Sequence, residues 1–282
     1  MKKVLASVAI ASLLFSCSEK PDTDKSDSDR IPLDVSVVID LGRDHKDFQA
    51  GDEIGIYVVN DDGSYLGVQV DNARFVYDGS SWNSNEEVFL KGDTYAACYA
   101  YYPYTSSITS PTEYTFSVQK DQSIKDNFDA INFLWGENYI EDLRGEDGIV
   151  VSKMASIWTE TLLASTQILL YPGNGFTEDT WNAAIKSVRI SGVKTSAIIN
   201  LFTGVVTATG NAGEIIPLAT SEDVFEAVTI PQEVADNSKF IVINVDGIDY
   251  IYYSGYELKP RYKQGIPLVI NKTEGTVERL EW

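Results

Sequence analysis

Residues 33–40 read LDVSVVID, and the large apolar side chains of this stretch fall mainly on alternate positions. The inward row of this pattern is Leu33, Val35, Val37 and Ile39. A period of two is typical of a β-strand that buries one face and leaves the other in water. The stretch therefore predicts a strand whose buried face carries these four side chains.

The same reading applies along the chain from residue 31 onward, where short runs rich in Val, Ile, Tyr, Phe and Thr alternate with Gly, Asp, Asn and Pro. Residues 54–58 repeat the alternation, and residues 240–245 and 248–253 flank Asp246-Gly247, a pair suited to a two-residue type I′ turn. This pattern predicts an all-β protein built from antiparallel sandwich sheets.

Three segments bear on the organisation of the domains. Residues 154–170 fit helical and strand spacing alike, and their β-branched content favours strand, while residues 177–184 suit a short capped helix or a turn. The polar, Gly-punctuated stretch 136–148 suggests a border region. We therefore predict two domains, residues 31–152 and 153–282.

Composition excludes several classes of function. The chain has 282 residues, with 42 Asp plus Glu against 22 Lys plus Arg and a formal net charge of −20, which opposes nucleic-acid binding. The single histidine, His45, lies in a charged stretch and removes most Ser-His, Cys-His and multi-His metal schemes. Nothing selects a catalytic pair among the carboxylates. We expect a protein that is not an enzyme, with no cofactor and no metal site.

The first segment predicts export. Residues 1–17 contain Lys2 and Lys3, an apolar run over residues 4–15 and then Ser16-Cys17. This pattern indicates a secretory signal, and its apolar run is too short to remain in the membrane as a spanning helix. Its end resembles the bacterial lipobox, which makes Cys17 a lipid attachment point; an ordinary signal that happens to end near a cysteine is the alternative. Residues 18–30, which are polar and acidic over most of their length, predict a disordered tether.

Cys98 and a group of aromatic residues have two readings each. Cys98 lies in an apolar, aromatic run and is read as a buried thiol, with a disulfide to Cys17 as the competing interpretation. The aromatic group would form either a sugar-stacking platform or core packing, and core packing is preferred. Its members are Trp82, Tyr99, Tyr101, Tyr102 and Tyr104.

Four motifs in order resemble the fimbrillin family of Bacteroidales. Residues 48–57 read FQAGDEIGIY and resemble its F-x-x-G-D-x-I-G-V-Y element, and residues 75–82 resemble its next hairpin. Residues 99–104, YAYYPY, and residues 118–123, VQKDQS, are similar to two further elements. The stretch 150–155 departs from many relatives, which carry an aromatic residue and a histidine there.

The resemblance implies two transthyretin-like β-sandwich domains in tandem. It also implies a lipoprotein of the outer membrane, held by lipid on Cys17, that is a structural or accessory subunit of a cell-surface fimbrium and supports adhesion. The acidic stretch after Cys17 resembles a signal for export to the outer face of that membrane, with a simple spacer as the alternative. Stalk, anchor and tip subunits all fit.

In stalk subunits of this family, a trypsin-like protease cuts after an Arg and a strand of another subunit replaces the first strand. The resemblance therefore makes the strand from Leu33 to Ile39 the exchanged strand. Arg43, which follows this strand, and Arg30, which precedes it, are the candidate cleavage sites. An uncut loop arginine is the alternative for Arg43.

The carboxyl end has two interpretations. Val277, Leu280 and Trp282 make it a candidate donor segment for another subunit, or else it is the closing strand of the second domain. A different function is also compatible with the sequence: a surface glycan-binding lipoprotein of an uptake system that uses the aromatic group above. Burial of these rings under a detachable first strand favours the fimbrial function, and an exposed coplanar pair favours the glycan-binding one.

Overall fold

The structure is a computed structural model that describes residues 30–39, 47–60, 68–91 and 96–280. Strands dominate this part of the chain, which confirms the all-β prediction, and none of its helices is long and apolar enough to span a membrane. The elements up to the middle of the chain are β1 (Arg30–Ile39), β2 (Glu53–Asn60), β3 (Val68–Tyr77), β4 (Trp82–Ser84), β5 (Phe89–Lys91), β6 (Ala96–Tyr102), β7 (Tyr114–Ser117), α1 (Lys125–Asp129), β8 (Leu134–Tyr139), β9 (Glu141–Arg144) and β10 (Val150–Thr161). The remaining elements are β11 (Ala164–Pro172), α2 (Glu178–Ala183), β12 (Lys186–Asn200), β13 (Val205–Ile215), β14 (Leu218–Ser221), β15 (Val224–Thr229), β16 (Gln232–Val234), β17 (Lys239–Val245), β18 (Ile248–Tyr253), β19 (Tyr256–Leu258), β20 (Lys263–Asn271) and β21 (Thr276–Arg279).

The first sandwich is one continuous sheet that bends back on itself. Its strand order is β4-β3-β2-β6-β8-β10-β1-β5, with β9 beside β10. Most of β10 pairs with β9 and β1. Its last two residues, Glu160 and Thr161, pair with β8 instead. The part from β4 to β8 therefore forms one layer, and β9, β10, β1 and β5 form the other. Apolar side chains from both layers, such as Ile54 and Val37, make one core.

The second sandwich consists of two further sheets. One has the order β14-β15-β11-β20-β21, and the other has the order β13-β12-β17-β18 with β7 also paired to β12. Most neighbours are antiparallel, but β1 runs parallel to β10 and β20 runs parallel to β11. Since β7 comes from the first half of the sequence, the chain crosses to this sandwich and back before it builds β8.

The layer formed by β2, β6 and the first half of β8 is largely buried on both faces. Ile56 and Cys98 point into the first core, whereas Tyr57 and Tyr101 point into the second. Tyr57 packs edge-on against Phe202, with ring centroids 5.6 Å apart, so the two sandwiches share apolar surface. A layer covered on both sides cannot show simple polar alternation, which explains the near-continuous apolar and aromatic sequence of β6.

Several local predictions are confirmed. Residues 154–170 lie almost entirely in β10 and β11, and Thr177 caps α2 by accepting a hydrogen bond from Thr180 N. Asp246 and Gly247 both have left-handed φ angles, 50° and 85°, as a type I′ turn requires. The domain border near residue 152 stays a prediction: that residue lies inside β10, which pairs with strands of the first sandwich. Arg30, at the end of the predicted tether, begins β1.

Gln122 joins the segment after β7 to the second sandwich. Its side chain is fully buried, and Nε2 donates to Val228 O at 2.8 Å while Oε1 accepts from Val228 N at 2.8 Å. Both backbone groups of one residue of β15 are therefore satisfied by a single amide. Asp121 beside it accepts hydrogen bonds from Ser123 N and Oγ, which fixes the local turn. These contacts give the D-Q-S motif a structural role.

Candidate functional site

β1 occupies a groove in the first sandwich. It runs parallel to β10 with Leu33 opposite Lys153 and Ile39 opposite Thr159, and it pairs antiparallel with β5 over Arg30 to Pro32. The predicted strand is therefore present at the predicted position. Its long contact is with a strand more than one hundred residues away in sequence, as the register of this parallel pair shows.

The four side chains of the predicted row all point inward. Leu33, Val35, Val37 and Ile39 are 6%, 9%, 4% and 7% exposed, while the intervening side chains Asp34, Ser36 and Val38 face solvent. Burying a side chain of this size contributes about 1.5–3 kcal/mol. An empty groove would therefore expose an apolar floor, which includes Ile54, Ile56, Phe75, Ala155 and Ile157.

Two side chains bind carbonyls of β1. Trp82 Nε1 donates to Val37 O at 3.0 Å, and Thr159 Oγ1 donates to Val38 O at 3.0 Å. Trp82 lies in β4 and Thr159 in β10, so the two donors hold the strand from different elements. Because both bonds go to the backbone, they do not depend on which side chains the strand carries.

The two candidate cleavage sites differ in what the structure describes. Arg30 pairs with Lys91 in the β1–β5 ladder, and its guanidinium lies 4.3 Å from the centroid of the Phe89 ring. Arg43 belongs to residues 40–46, which lie outside the described residues, as do His45 and the lipidation candidate Cys17. The lipid and cleavage assignments for Cys17 and Arg43 stay predictions.

A cleft of ≈ 350 Å³ opens at the Ile39 end of β1. Its walls include Phe48 and Tyr102 from the first sandwich and Leu163 and Val228 from the second. Basic groups of the wall are paired within the protein, since Lys263 Nζ lies 3.1 Å from Glu226 Oε1. The cleft thus leads from the Ile39 end of β1 to the second sandwich, and its lining is both apolar and charged.

A family comparison agrees with this architecture. The sequence model of the fimbrillin-like family matches residues 43–276. The chain belongs to the fimbrillin-like family. No curated protein sequence matches the chain.

Solved structures share the fold of this fimbrillin-like chain at low identity. A candidate cell adhesion protein from Bacteroides ovatus matches with a TM-score of 0.65 and 17% identity, over 89% of this chain and 96% of that chain. A candidate cell adhesion protein from Bacteroides uniformis matches with a TM-score of 0.61 and 20% identity over the same shares, 89% and 96%. A fimbrial protein from Bacteroides ovatus matches with a TM-score of 0.50 and 16% identity, over 84% of this chain and 48% of that chain.

The first fimbrillin motif builds the corner beside β1. Asp52 Oδ2 accepts from Gln49 N at 2.7 Å, and its Oδ1 accepts from the Tyr102 hydroxyl at 3.1 Å. Burial, followed by the nearby charge of Asp52, raises the pKa of Tyr102 to about 12, so this hydroxyl stays protonated as a donor. Gly51 has a φ angle of +98°, a left-handed conformation that favours glycine. The corner places Phe48 against Trp82, with ring centroids 4.9 Å apart.

The second glycine of this motif makes room for the tyrosine of the YAYYPY motif. Gly55 lies opposite Tyr101 on the neighbouring strand, and a Cβ at Gly55 would lie 2.0 Å from Tyr101 Cε1. The Tyr101 ring is buried, and its hydroxyl donates to Asn72 Oδ1 at 2.7 Å. The ring is therefore held across the glycine and cannot swing away without losing these contacts.

We predict that Gly55→Ala lowers the free energy of unfolding by about 2–3 kcal/mol, because the added methyl overpacks a fixed ring. Urea denaturation measures this change. Gly213→Ala is the matched control: Gly213 also lies in a strand, β13, and a Cβ there meets nothing within 4 Å. We expect the control to change stability by less than about 0.5 kcal/mol, and equal losses in both variants would contradict the packing argument.

The five aromatic residues do not form an exposed platform. Trp82 and Tyr101 are buried, and the other three are partly buried. Tyr99 packs against Phe202 of the second sandwich with ring centroids 5.3 Å apart, and Tyr102 is held by Asp52. This arrangement supports the core-packing interpretation. Cys98 is also buried, as predicted, and burial raises the pKa of its thiol.

The carboxyl-terminal segment forms the edge strand β21. Val277 pairs with Ile270 of β20 and packs against the second core, and the Arg279 guanidinium lies 5.3 Å from the Tyr256 ring centroid. Leu280 N donates to Pro267 O at 3.0 Å, and Trp282 lies outside the described residues. In this structure the segment closes the second sandwich, and its role as a donor stays a prediction.

Two contacts in the structure are not specified by any pattern in the sequence. The bond from Trp82 to β1 could not be predicted, because the hairpin motif that contains Trp82 does not say which strand lies above it. The amide of Gln122 had a signal, the D-Q-S motif, but no pattern in the sequence identifies Val228 as its partner.

Proposed function

We propose that this fimbrillin-like chain is a subunit of a cell-surface fimbrium that supports adhesion. In this proposal the chain is a structural component and not an enzyme, and it assembles with other fimbrial subunits through β-strand addition. Family membership supports the fimbrial role, and the structural likeness to a fimbrial protein from Bacteroides ovatus agrees with it. The observation that carries the assembly mechanism is β1 itself, a strand seated by four inward side chains in an otherwise complete sandwich.

Strand exchange follows from how β1 is held. Its contacts are a backbone ladder, four apolar side chains and two side-chain hydrogen bonds to carbonyls. Another strand with the same alternation offers all three kinds of contact. When a cut separates β1 from β2, the strand is no longer tethered to the body, and a strand of another subunit competes for the groove by β-augmentation.

The precursor is held at the outer membrane by lipid on Cys17 in this proposal. The support is the lipobox-like end of the signal and the polar, acidic stretch that follows Cys17 in the sequence. Several acyl chains anchor a protein stably where one chain binds reversibly. Growth of producing cells with an alkyne-labelled palmitate checks this step, since the label should appear on the wild-type protein and disappear in Cys17→Ala.

Limited trypsin digestion tests the assembly mechanism. The substrate is the folded protein that begins at Ser18. We expect low-dose trypsin to cut this protein after Arg43, and we expect the cut protein to shift from monomer to higher oligomers. Intact mass and size-exclusion chromatography, measured on the same samples, follow the two events. A protein that is cut after Arg43 but stays monomeric and keeps the cut strand at high concentration would contradict the exchange mechanism.

A further inference from the structure

The edge of β1 that faces away from β10 is sparsely paired. Backbone pairing with β5 covers Arg30 to Pro32, and Leu33 N adds one hydrogen bond to Val88 O at 2.9 Å. Within the described ranges, strand pairing on this edge ends there. Successive carbonyls of a strand point to opposite edges, so Val38 O faces Thr159 of β10 while Val37 O faces the sparsely paired edge.

Trp82 satisfies this carbonyl in place of a neighbouring strand. Its indole N–H donates to Val37 O at 3.0 Å, and the residue is 7% exposed. A buried carbonyl that loses its partner carries the full penalty of its lost hydration. While β1 lies in the groove, the indole N–H therefore satisfies a carbonyl that has little access to water.

The indole is held in place by two other rings. Phe48 meets it edge-on with centroids 4.9 Å apart and an interplanar angle of 84°, and Tyr77 lies 5.1 Å away. Phe48 belongs to the corner built by Asp52, whose carboxylate accepts from Gln49 N. The direction of the Trp82 N–H toward β1 is thus supported by packing against two rings that do not belong to β1.

We propose that Trp82 is a latch that holds the strand in the groove by binding its backbone, with Phe48 as the positioning residue for the indole. The latch acts on β1 in the intact chain. It also acts on any replacing strand, and this second part rests on the proposed strand exchange. Since the contact is to a carbonyl, the latch holds strands of different sequence, whereas the apolar pockets select the alternation.

Hydrogen–deuterium exchange of the intact, full-length protein in detergent tests the latch on β1. We expect the amides of residues 34, 36 and 38, which face β10, to exchange about tenfold faster in Trp82→Phe, which keeps an aromatic ring and removes the N–H. Trp135→Phe is the matched control, because Trp135 is also buried and donates to a backbone carbonyl, Leu201 O, at 2.7 Å. This control should leave amides 34–39 unchanged. Equal exchange of β1 in both variants and the wild type would overturn the latch.

A second variant covers the case in which Trp82→Phe does not fold. Phe48→Leu keeps the indole N–H and removes a ring that packs against it, so we expect a smaller acceleration, about threefold, at the amides of residues 34, 36 and 38 alone. An unchanged rate at these amides in Phe48→Leu would remove Phe48 from the mechanism. Acceleration spread evenly over β2, β3 and β6 would mean general loss of stability and would also count against the latch.

A peptide experiment separates the latch from strand exchange. After trypsin treatment, a fluorescent peptide of residues 31–39 is added to wild type and to Trp82→Phe, and its dissociation rate is measured. About tenfold faster dissociation from Trp82→Phe supports the latch on a replacing strand. Equal dissociation rates overturn that part. If the peptide binds neither protein, the proposed strand exchange fails, while the exchange rates of the intact protein still decide the latch on β1.

Discussion

Val35→Asp is expected to lower the free energy of unfolding by about 3–5 kcal/mol and to expose the groove. Val35 lies at the centre of β1 opposite Ala155, with its side chain in the first core. A carboxylate there meets apolar side chains, and a buried charge without a partner is strongly unfavourable. Urea denaturation measures the loss of stability, and binding of an apolar dye reports the exposed groove.

Ser36→Asp is the matched control for this change. Ser36 is the next residue of the same strand, lies opposite Ser156 and faces solvent. We expect its stability to stay within about 0.5 kcal/mol of the wild type, because the new charge remains hydrated. If the two aspartates had the same effect, the inward row of β1 would not be what holds the strand, and the basis of the exchange mechanism would fall.

The position of β1 and its buried face could be predicted because both depend on local pattern. Alternation over residues 33–39 indicates which side chains share a face of the strand. The Asp246-Gly247 pair indicates where a hairpin turns, because left-handed φ angles favour these residue types. Such features need no knowledge of distant residues. They were found in the structure as predicted.

The neighbours of β1 could not be predicted in this way. Periodicity does not specify pairing, and the partner of Val35 is Ala155, far along the chain and parallel to it. The same holds for the burial of β6 on both faces, where Cys98 and Tyr99 face different cores. Short apolar runs look alike whether one face is covered or two. The motifs single out Phe48 and Gly55. The structure explains both residues by contacts between elements: Phe48 packs against Trp82, and Gly55 makes room for Tyr101.

Arg43→Ala is expected to abolish trypsin-triggered assembly, whereas Arg30→Ala should leave it intact. A protease needs an accessible, deformable segment around the cut bond, which loops supply more readily than paired strands. Arg30 is in a strand ladder with Lys91, stacks on Phe89 and precedes Pro32 by two residues. Arg43 follows the end of β1 by four residues, so a cut there separates the strand from the body of the protein.

The identity of the new amino terminus separates the two sites. Cleavage after Arg43 yields a body that begins at Asp44, and cleavage after Arg30 yields one that begins at Ile31. Intact mass identifies the fragment, and size-exclusion chromatography of the same sample measures assembly. In the second case β1 stays covalently joined to the body and keeps its four side chains in the groove. Assembly of an Ile31 fragment from the Arg43→Ala variant would therefore show that subunits associate without release of β1, which the exchange mechanism does not permit.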